Sequence, residues 1–278
     1  LPNQIPINKI HTWRNRQSIL GHEHRIRSIS QRGKTRMNRD EIPEIQDKDL
    51  REGWAKINGE KHSLLYAKIA NQLRKGVQPR ILILADPGYG KTYAAGRIAE
   101  KLHNELNFLD GKFKPQEQII TDPIELSKKV TNQTGKIFHV PDADSIFPSD
   151  EYHTPKNKTN RDLQYLSRRL NNILMYDAHE MNKVSKAIRT NHTTRLSPAQ
   201  GPNDYVWRVE SIERDNTSKK EEHEAISLVN QKFKKPSKET RQRIEEIDQK
   251  NKLSKIKERE EEMEQERKKE ELKKKAFT

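Results

Sequence analysis

Residues 80–92 read RILILADPGYGKT, and this stretch decides the fold. Its apolar run, Ile81–Ala85, lies between Pro79 and Pro87, which is typical of a strand buried on both faces of a parallel sheet. The residues after Thr92 predict a helix, because Ala95, Ile98, Ala99 and Leu102 recur on one helical face. The sequence therefore predicts a strand, a Gly-rich turn and a helix in direct succession.

The Gly-rich turn has the composition of a phosphate-binding loop, with an alanine where the consensus has its first glycine. Gly88 and Gly90 permit backbone angles that aim successive amides at one point, which makes an anion site. The helix that begins near Lys91 adds its free amides and its dipole. The Lys91 ammonium can reach the β- and γ-phosphates of a nucleotide, and the Thr92 hydroxyl can ligate Mg²⁺. The residues predicted to bind ATP are Asp86, Pro87, Gly88, Tyr89, Gly90, Lys91, Thr92 and Tyr93.

A phosphate loop needs a second, acidic site that holds Mg²⁺ and positions water. Residues 135–144 fit this need, because an apolar strand there ends in Asp142 and Asp144. Asp142 is the predicted metal ligand beside Thr92, and Asp144 is the predicted water-activating carboxylate, with Glu151 as an alternative. A second alignment stays open, in which Pro141 and Asp142 take the positions of the usual Asp-Glu pair. Asp142 is then the base, and the acid that binds the metal is missing. A third alternative is that these acids only form a solvated strand end.

Charge divides the 278 residues into three parts. Residues 1–39 hold nine Lys or Arg and one acid, a net charge of +8, and predict an extended basic arm. Residues 40–216 are nearly neutral and predict one globular domain. Residues 217–278 are rich in Glu, Lys and Arg, and predict a charged helical tail, with a helix from about 237 to 275. The heptad pattern in that tail is not sustained, so a coiled coil is only weakly indicated.

Composition excludes several classes of function. The chain has no cysteine, which excludes disulfides, Cys-based zinc sites and thiol catalysis and fits a reducing cytoplasm. It has no apolar run long enough for a membrane helix, so no membrane partner is expected. His22 and His24 lack a third ligand nearby, so no metal site is predicted there.

Further elements complete an α/β pattern, a mostly parallel sheet sandwiched by helices. Helices are predicted over about 60–74, 160–171 and 180–190, and strands near 119–120, 173–176, 193–196 and 205–210. Ligands of such open sheets bind beyond the carboxyl ends of the strands, where Gly90 and Asp142 both fall.

The order of these motifs resembles the small archaeal and viral P-loop ATPases grouped with the FtsK–HerA DNA-pumping ATPases, over roughly residues 60–212. Only Gly88–Thr92 is a specific motif; the rest of the resemblance is order and spacing. The resemblance implies a ring-forming ATPase that cleaves ATP at subunit junctions and moves DNA. Lys91 and Thr92 match the family pattern closely, whereas Asp142 matches it loosely. A γ-phosphate-sensing residue is expected near Asp177 or His179, and neither is a clean match.

The first functional hypothesis is an ATP-driven DNA-handling motor for translocation or packaging. In it Lys91, Asp142 and Asp144 are catalytic, the chain forms a homo-oligomer, and the basic arm with Trp13 binds nucleic acid. A neighbouring subunit would supply an arginine, for which the candidates are Arg168, Arg169, Arg189 and Arg195. The expected location is the cytoplasm, or a virion if the protein is viral.

Two alternatives stay open at this point. One is a nucleotide-gated assembly protein that binds ATP with little hydrolysis, motivated by the irregular acids around Pro141. The other is a replication ATPase of the AAA+ class, which would need a C-terminal helical lid.

Overall fold

The computed structural model describes residues 42, 45–49, 51–150, 154–201, 205–214 and 223–276. The predicted basic arm, residues 1–39, and the candidate Glu151 lie outside these residues. In the part of the chain that is described, no helix is both long enough and apolar enough to span a membrane.

The described chain begins with a small antiparallel sheet of three strands, in the order β1 (Ile45–Asp49), β2 (Trp54–Ile57) and β3 (Glu60–Ser63). Helix α1 (Leu64–Arg74) follows directly. The prediction of a helix over about 60–74 is therefore wrong at its start. Asn58 and Gly59 both have positive φ, +53° and +81°, the turn geometry that joins two antiparallel strands most tightly. Ser63 then caps α1, because its hydroxyl accepts a hydrogen bond from the amide of Leu65.

The main sheet has six strands in the order β5-β6-β4-β7-β8-β9. Their bounds are β4 (Arg80–Leu84), β5 (Ile137–Val140), β6 (Ile173–Ala178), β7 (Thr194–Pro198), β8 (Val206–Arg214) and β9 (His223–Lys232). The first four strands in this order are parallel, and β8 and β9 are antiparallel to their neighbours. This architecture confirms the predicted α/β fold with a mostly parallel sheet.

Helices cover both faces of the main sheet. They are α2 (Lys91–Glu100), which continues as a π-helical turn (Lys101–Glu105), α3 (Pro115–Gln118), α4 (Pro123–Asn132), α5 (Ala143–Ile146), α6 (Pro155–Arg169), a 3₁₀ turn (Met181–Lys183), α7 (Lys186–Asn191) and α8 (Lys238–Ala276). Ile81 and Ile83 of β4 pack into the core that contains α1 and α2, whereas Leu82 packs into the core under α4, α6 and α7. Both faces of β4 are therefore buried, as its unbroken apolar run predicted.

Three further elements differ from the sequence predictions. The strand near 119–120 is a single parallel bridge between Ile119 and His139, and the predicted helix over 180–190 is a 3₁₀ turn followed by α7. Residues 223–232, which were assigned to the charged tail, form β9 and pair along the whole of β8. The cause is that the apolar centre of β9, residues 225–229, is short and lies between polar residues, while the strand is stabilised by backbone hydrogen bonds to β8.

The start of α8 packs against α2, the helix that follows the Gly-rich loop. Glu100 of α2 is buried, and its carboxylate accepts hydrogen bonds from the amide of Ser237 and the hydroxyl of Thr240. A Cβ placed on Gly96 would lie 2.7 Å from Cγ2 of Thr240, so a glycine is needed for this approach. The first turns of α8 therefore belong to the core, whereas Leu253, Ile256 and Met263 farther along it are exposed.

Candidate functional site

The Gly-rich loop connects β4 to α2 in the conformation that an anion site requires. Gly88 and Gly90 have φ of +89° and +73°, both in the left-handed region, and Gly90 is the N-cap residue of α2. Gly90 has no side chain with which to cap this end of α2, a geometry that suits the binding of an anion. Asp86, Pro87 and Gly88 are exposed at the surface of the loop. The predicted loop therefore has both the position and the backbone geometry of a phosphate site.

Lys91 points from the start of α2 toward the acids that follow β5 and β6. Its side chain is buried, and its Nζ lies 3.0 Å from Nε2 of His179 and 3.8 Å from Oδ1 of Asp142. An ammonium group only donates hydrogen bonds, so Nε2 of His179 is the acceptor in this contact. Thr92, the predicted Mg²⁺ ligand, is the next residue on α2 and is partly exposed.

Asp142 occupies a left-handed backbone position, with φ of +48°, directly after Pro141. Its amide donates a 2.8 Å hydrogen bond to Oδ1 of Asp177, which fixes this unusual turn. Burial and the negative charge of Asp177 raise the pKa of Asp142, and the nearby Lys91 ammonium opposes them. A cation placed at this carboxylate would favour its ionised form.

A buried pair under the acids holds the end of β5 against the end of β6. His139 and Asp177 are both fully buried, and Nε2 of His139 lies 2.8 Å from Oδ2 of Asp177. Burial by itself raises the pKa of Asp177, but the hydrogen bond and charge of His139 and the amide of Asp142 outweigh it and hold this pKa below its ordinary value. Asp177 is thus an anion that positions Asp142 through the backbone.

Asp144 is bound to His179. Its Oδ2 accepts hydrogen bonds from the backbone amide of His179, at 3.1 Å, and from Nδ1 of the same residue, at 2.9 Å. With Nε2 of His179 as the acceptor from Lys91, Nδ1 is the ring nitrogen that donates to Asp144. The other oxygen of Asp144 is buried and has no hydrogen-bond partner among the described residues.

Asp142, Asp144 and His179 form a cluster that can hold a divalent cation, with one donor atom from each within 4.8 Å of the others. The carboxylate oxygens of Asp142 and Asp144 match the oxygen ligands that Mg²⁺ prefers. The unpartnered buried oxygen of Asp144 is consistent with that fit. The donor set thus suits the predicted Mg²⁺.

The structure brings together most of the residues that were predicted to carry the chemistry. Lys91, Asp142 and Asp144 meet at the edge of the sheet where β4, β5 and β6 end. Tyr89 and Tyr93 instead pack partly against the core, and the hydroxyl of Tyr93 donates to Glu245 of α8.

The candidate arginines lie away from this edge. Arg168 and Arg169 end α6 just before β6 begins, and Arg189 lies in α7 just before β7 begins, so all three are near the opposite edge of the parallel strands. Arg195 lies within β7 and forms an ion pair with Glu210, its Nε 2.7 Å from Oε2.

Sequence reasoning missed the buried pair of His139 and Asp177 and the role of His179 as the partner of both Lys91 and Asp144. One signal was present, because His139 interrupts an otherwise apolar strand. A histidine in a strand that is buried on both faces needs a polar partner, and its neighbour strand β6 supplies Asp177.

No family model matches the chain, and no curated protein matches it by sequence. Among solved structures, it is similar to the N-terminal domain of zonular occludens toxin from Neisseria meningitidis, with a TM-score of 0.34 and 13% identity over 56% of this chain and 95% of that one. It is also similar to the genome packaging NTPase B204 from Sulfolobus turreted icosahedral virus 2. In complex with ATP-gammaS that protein gives a TM-score of 0.35 and 8% identity over 48% of this chain and 92% of its own. In complex with AMPPCP the same protein gives a TM-score of 0.37 and 7% identity over 55% of this chain and 98% of its own.

At these identities and TM-scores the likeness concerns the fold, and it carries no argument about what this chain binds or does. The resemblance to the FtsK–HerA group stays a prediction.

Proposed function

We propose that this chain binds ATP with Mg²⁺ and hydrolyses it. The observation that carries the proposal is the convergence of Lys91, at the start of α2, with Asp142, after β5, 3.8 Å apart beside a loop whose two glycines have positive φ. A cation, free helix amides and a carboxylate at one edge of a parallel sheet suit a metal-bound triphosphate.

Each residue of the site has a separate task in this proposal. The amides of Gly88–Thr92 hold the phosphates, and Lys91 leaves His179 to bind the β- and γ-phosphates. Thr92 and Asp142 hold the Mg²⁺, which neutralises charge that develops on the phosphates. When the Lys91 ammonium leaves Asp142, this carboxylate loses the positive charge beside it, and a metal ion binds there more favourably. The binding of nucleotide and the binding of metal therefore favour each other.

Water is positioned by His179 and Asp144 together. When Lys91 turns to the phosphates, Nε2 of the neutral imidazole becomes available as an acceptor for a water proton. Asp144 keeps the other proton on Nδ1 and stabilises the imidazolium that forms, the same task that a buried carboxylate has beside other catalytic histidines. Asp144, predicted as the water-activating group, therefore acts through His179.

The finer proposal is that hydrolysis serves nucleic-acid handling by an oligomer. Its support is the net charge of +8 in residues 1–39, together with the positions of the four candidate arginines, which lie away from the strand ends that carry Gly90 and Asp142. A neighbouring subunit would then supply that arginine.

A second candidate function is that of a nucleotide-gated assembly protein. One observation favours it: Asp142 sits in a strained left-handed turn after a proline, which departs from the usual acid pair. Such a protein would bind ATP but turn it over slowly.

ATP turnover with and without double-stranded DNA separates these functions, with Lys91→Ala as the inactive control. The motor proposal predicts turnover that DNA stimulates and that is lost in the Lys91 variant. ATP binding with little single-turnover hydrolysis would favour the assembly protein. No binding of ATP by the wild type would refute both.

A further inference from the structure

Tyr205 lies against the Gly-rich loop, on the side away from Asp142 and Asp144. An ideal Cβ on Gly90 would lie 2.8 Å from Cε1 of Tyr205, so the edge of the tyrosine ring touches the loop backbone. Tyr205 directly precedes β8, and β8 is antiparallel to β7. The start of β8 therefore lies at the edge of the sheet where the parallel strands β4, β5 and β6 end.

The backbone of Tyr205 is held in an uncommon conformation. Its φ is +50°, in the left-handed region that bulky side chains rarely adopt. The Tyr205 carbonyl accepts a 3.1 Å hydrogen bond from the amide of Phe233, and the next carbonyl, of Val206, accepts from Ala199 at 2.9 Å. Backbone strain of this kind persists where the surroundings fix it, and here they fix the ring beside Gly90.

The Tyr205 ring is only partly buried and has a cation close to it. Nζ of Lys235 lies 5.8 Å from the ring centroid, within reach of a cation–π interaction. The ring is thus an amphipathic surface with positive charge nearby, next to a loop that binds phosphate in the proposal above.

The strand order gives the direction in which a bound nucleotide runs. β5 and β6, which lead to the acids, lie on one side of β4, whereas β7 and β8 lie on the other. The γ-phosphate must face Lys91 and the metal ligands. The nucleoside end must therefore leave the loop on the opposite side, toward Tyr205.

We propose that Tyr205 is the platform on which the base of the nucleoside triphosphate stacks. This inference rests on the proposed nucleotide binding at Gly88–Thr92 and adds a site for the base, with a nucleoside triphosphate as its ligand. Aromatic stacking uses the face of the base, so it tolerates both adenine and guanine.

The test compares ligands that contain a base with one that lacks it. The affinities for ATP, GTP and inorganic tripolyphosphate are measured by calorimetry, each with Mg²⁺, for the wild type and for Tyr205→Asn. Asparagine tolerates the left-handed backbone position, so this variant removes the ring and keeps the turn. Tyr205→Phe is the matched control, because it keeps the ring, and Tyr205→Gly replaces the asparagine variant if that one does not fold.

The expected result is that Tyr205→Asn weakens ATP and GTP by about tenfold and leaves tripolyphosphate unchanged, while Tyr205→Phe binds all three as the wild type does. Equal losses for all three ligands would mean that Tyr205 only shapes the loop, and no loss for ATP would mean that the base binds elsewhere; either result overturns the inference. A wild-type protein that binds neither ATP nor tripolyphosphate would instead overturn the proposed function.

Discussion

The Gly-rich loop and the acid side of the site lie at the same edge of the sheet, but they are built in different ways. The loop is a continuous stretch, Asp86–Thr92, whose shape comes from two glycines and the start of a helix. The acid side is the cluster of His139, Asp142, Asp144, Asp177 and His179, which comes from two strand ends joined by side-chain hydrogen bonds. The difference indicates that substitutions within the loop itself affect the binding of phosphate. Substitutions that alter how β5 and β6 pack affect hydrolysis at the acid side.

Removal of the loop cation should have the largest effect. Lys91→Ala is expected to weaken ATP by about 1000-fold, about 4 kcal/mol, because two charge-assisted hydrogen bonds to phosphate are lost. Equilibrium dialysis with labelled ATP measures this change. Lys101→Ala is the matched control, since Lys101 lies at the far end of α2 from the loop, as the first residue of the π-helical turn, and pairs with Glu105. Similar affinities for the two variants would show that the loop does not hold the phosphates.

Asp142→Asn should reduce hydrolysis much more than ATP binding, and so distinguish the acid side from the loop. Hydrolysis in single turnover is expected to fall about 100-fold, since a metal-binding charge is lost, while ATP affinity changes less than about tenfold. The exposed Asp150 provides the control Asp150→Asn, which should leave both quantities unchanged. Hydrolysis that survives Asp142→Asn would assign the metal acid to another residue.

The buried pair should affect stability as well as chemistry. Asp177→Asn replaces a charge-assisted hydrogen bond to His139 with a neutral one, so the free energy of unfolding is expected to fall by about 2 kcal/mol. Hydrolysis should fall too, because the Asp142 amide loses its anionic acceptor. Urea denaturation checks the stability, with Asp162→Asn on the exposed face of α6 as control. An unchanged midpoint would contradict the structural role of the pair.

The smallest predicted effect is a pH dependence of the free energy of unfolding. It comes from His103, which lies at the start of β5, away from the acids. Nε2 of His103 accepts from Gln118 and faces the amide of Ile137, while Nδ1 donates to the carbonyl of Gly111. Burial lowers the pKa of His103 to about 4, because the protonated ring would be desolvated and would face two donors. The unfolded chain therefore binds the proton more readily, and the stability present above pH ~6.5 is lost as pH falls toward the folded pKa.

Between pH ~6.5 and ~5.5 this single group should lower the free energy of unfolding by about 1 kcal/mol. Other groups titrate in the same range, so the measurement is the difference between the wild type and His103→Gln at the two pH values. The wild type should lose about 1 kcal/mol more than the variant. Equal losses would show that His103 does not remain neutral in the folded protein.

The sequence was sufficient for the loop and its flanking elements because their signals are local. An apolar run between prolines, two glycines and an apolar helical face predict β4, the turn and α2 without any tertiary contact. Asp142 and Asp144 could be proposed for the same reason, since they directly follow a strand.

The rest of the site depends on contacts between distant residues. The pairing of His139 with Asp177 requires β5 and β6 to be neighbours, and Tyr205 reaches Gly90 only because β8 turns back beside β7. Strand β9 was missed for a similar reason: its apolar centre is short, and the strand forms through backbone hydrogen bonds to β8. Pattern reasoning does not see a side-chain partner that lies 38 residues away, as Asp177 does from His139, or a ladder made by the backbone.

The most direct test of a joint site for phosphate and metal is a crystal structure with Mg²⁺ and a non-hydrolysable ATP analogue. The expected result is a triphosphate held by the amides of Gly88–Thr92, with the Lys91 ammonium moved from His179 to the phosphates and a metal ion between Thr92 and Asp142. A nucleotide bound elsewhere, with Lys91 still in contact with His179, would contradict the proposed site.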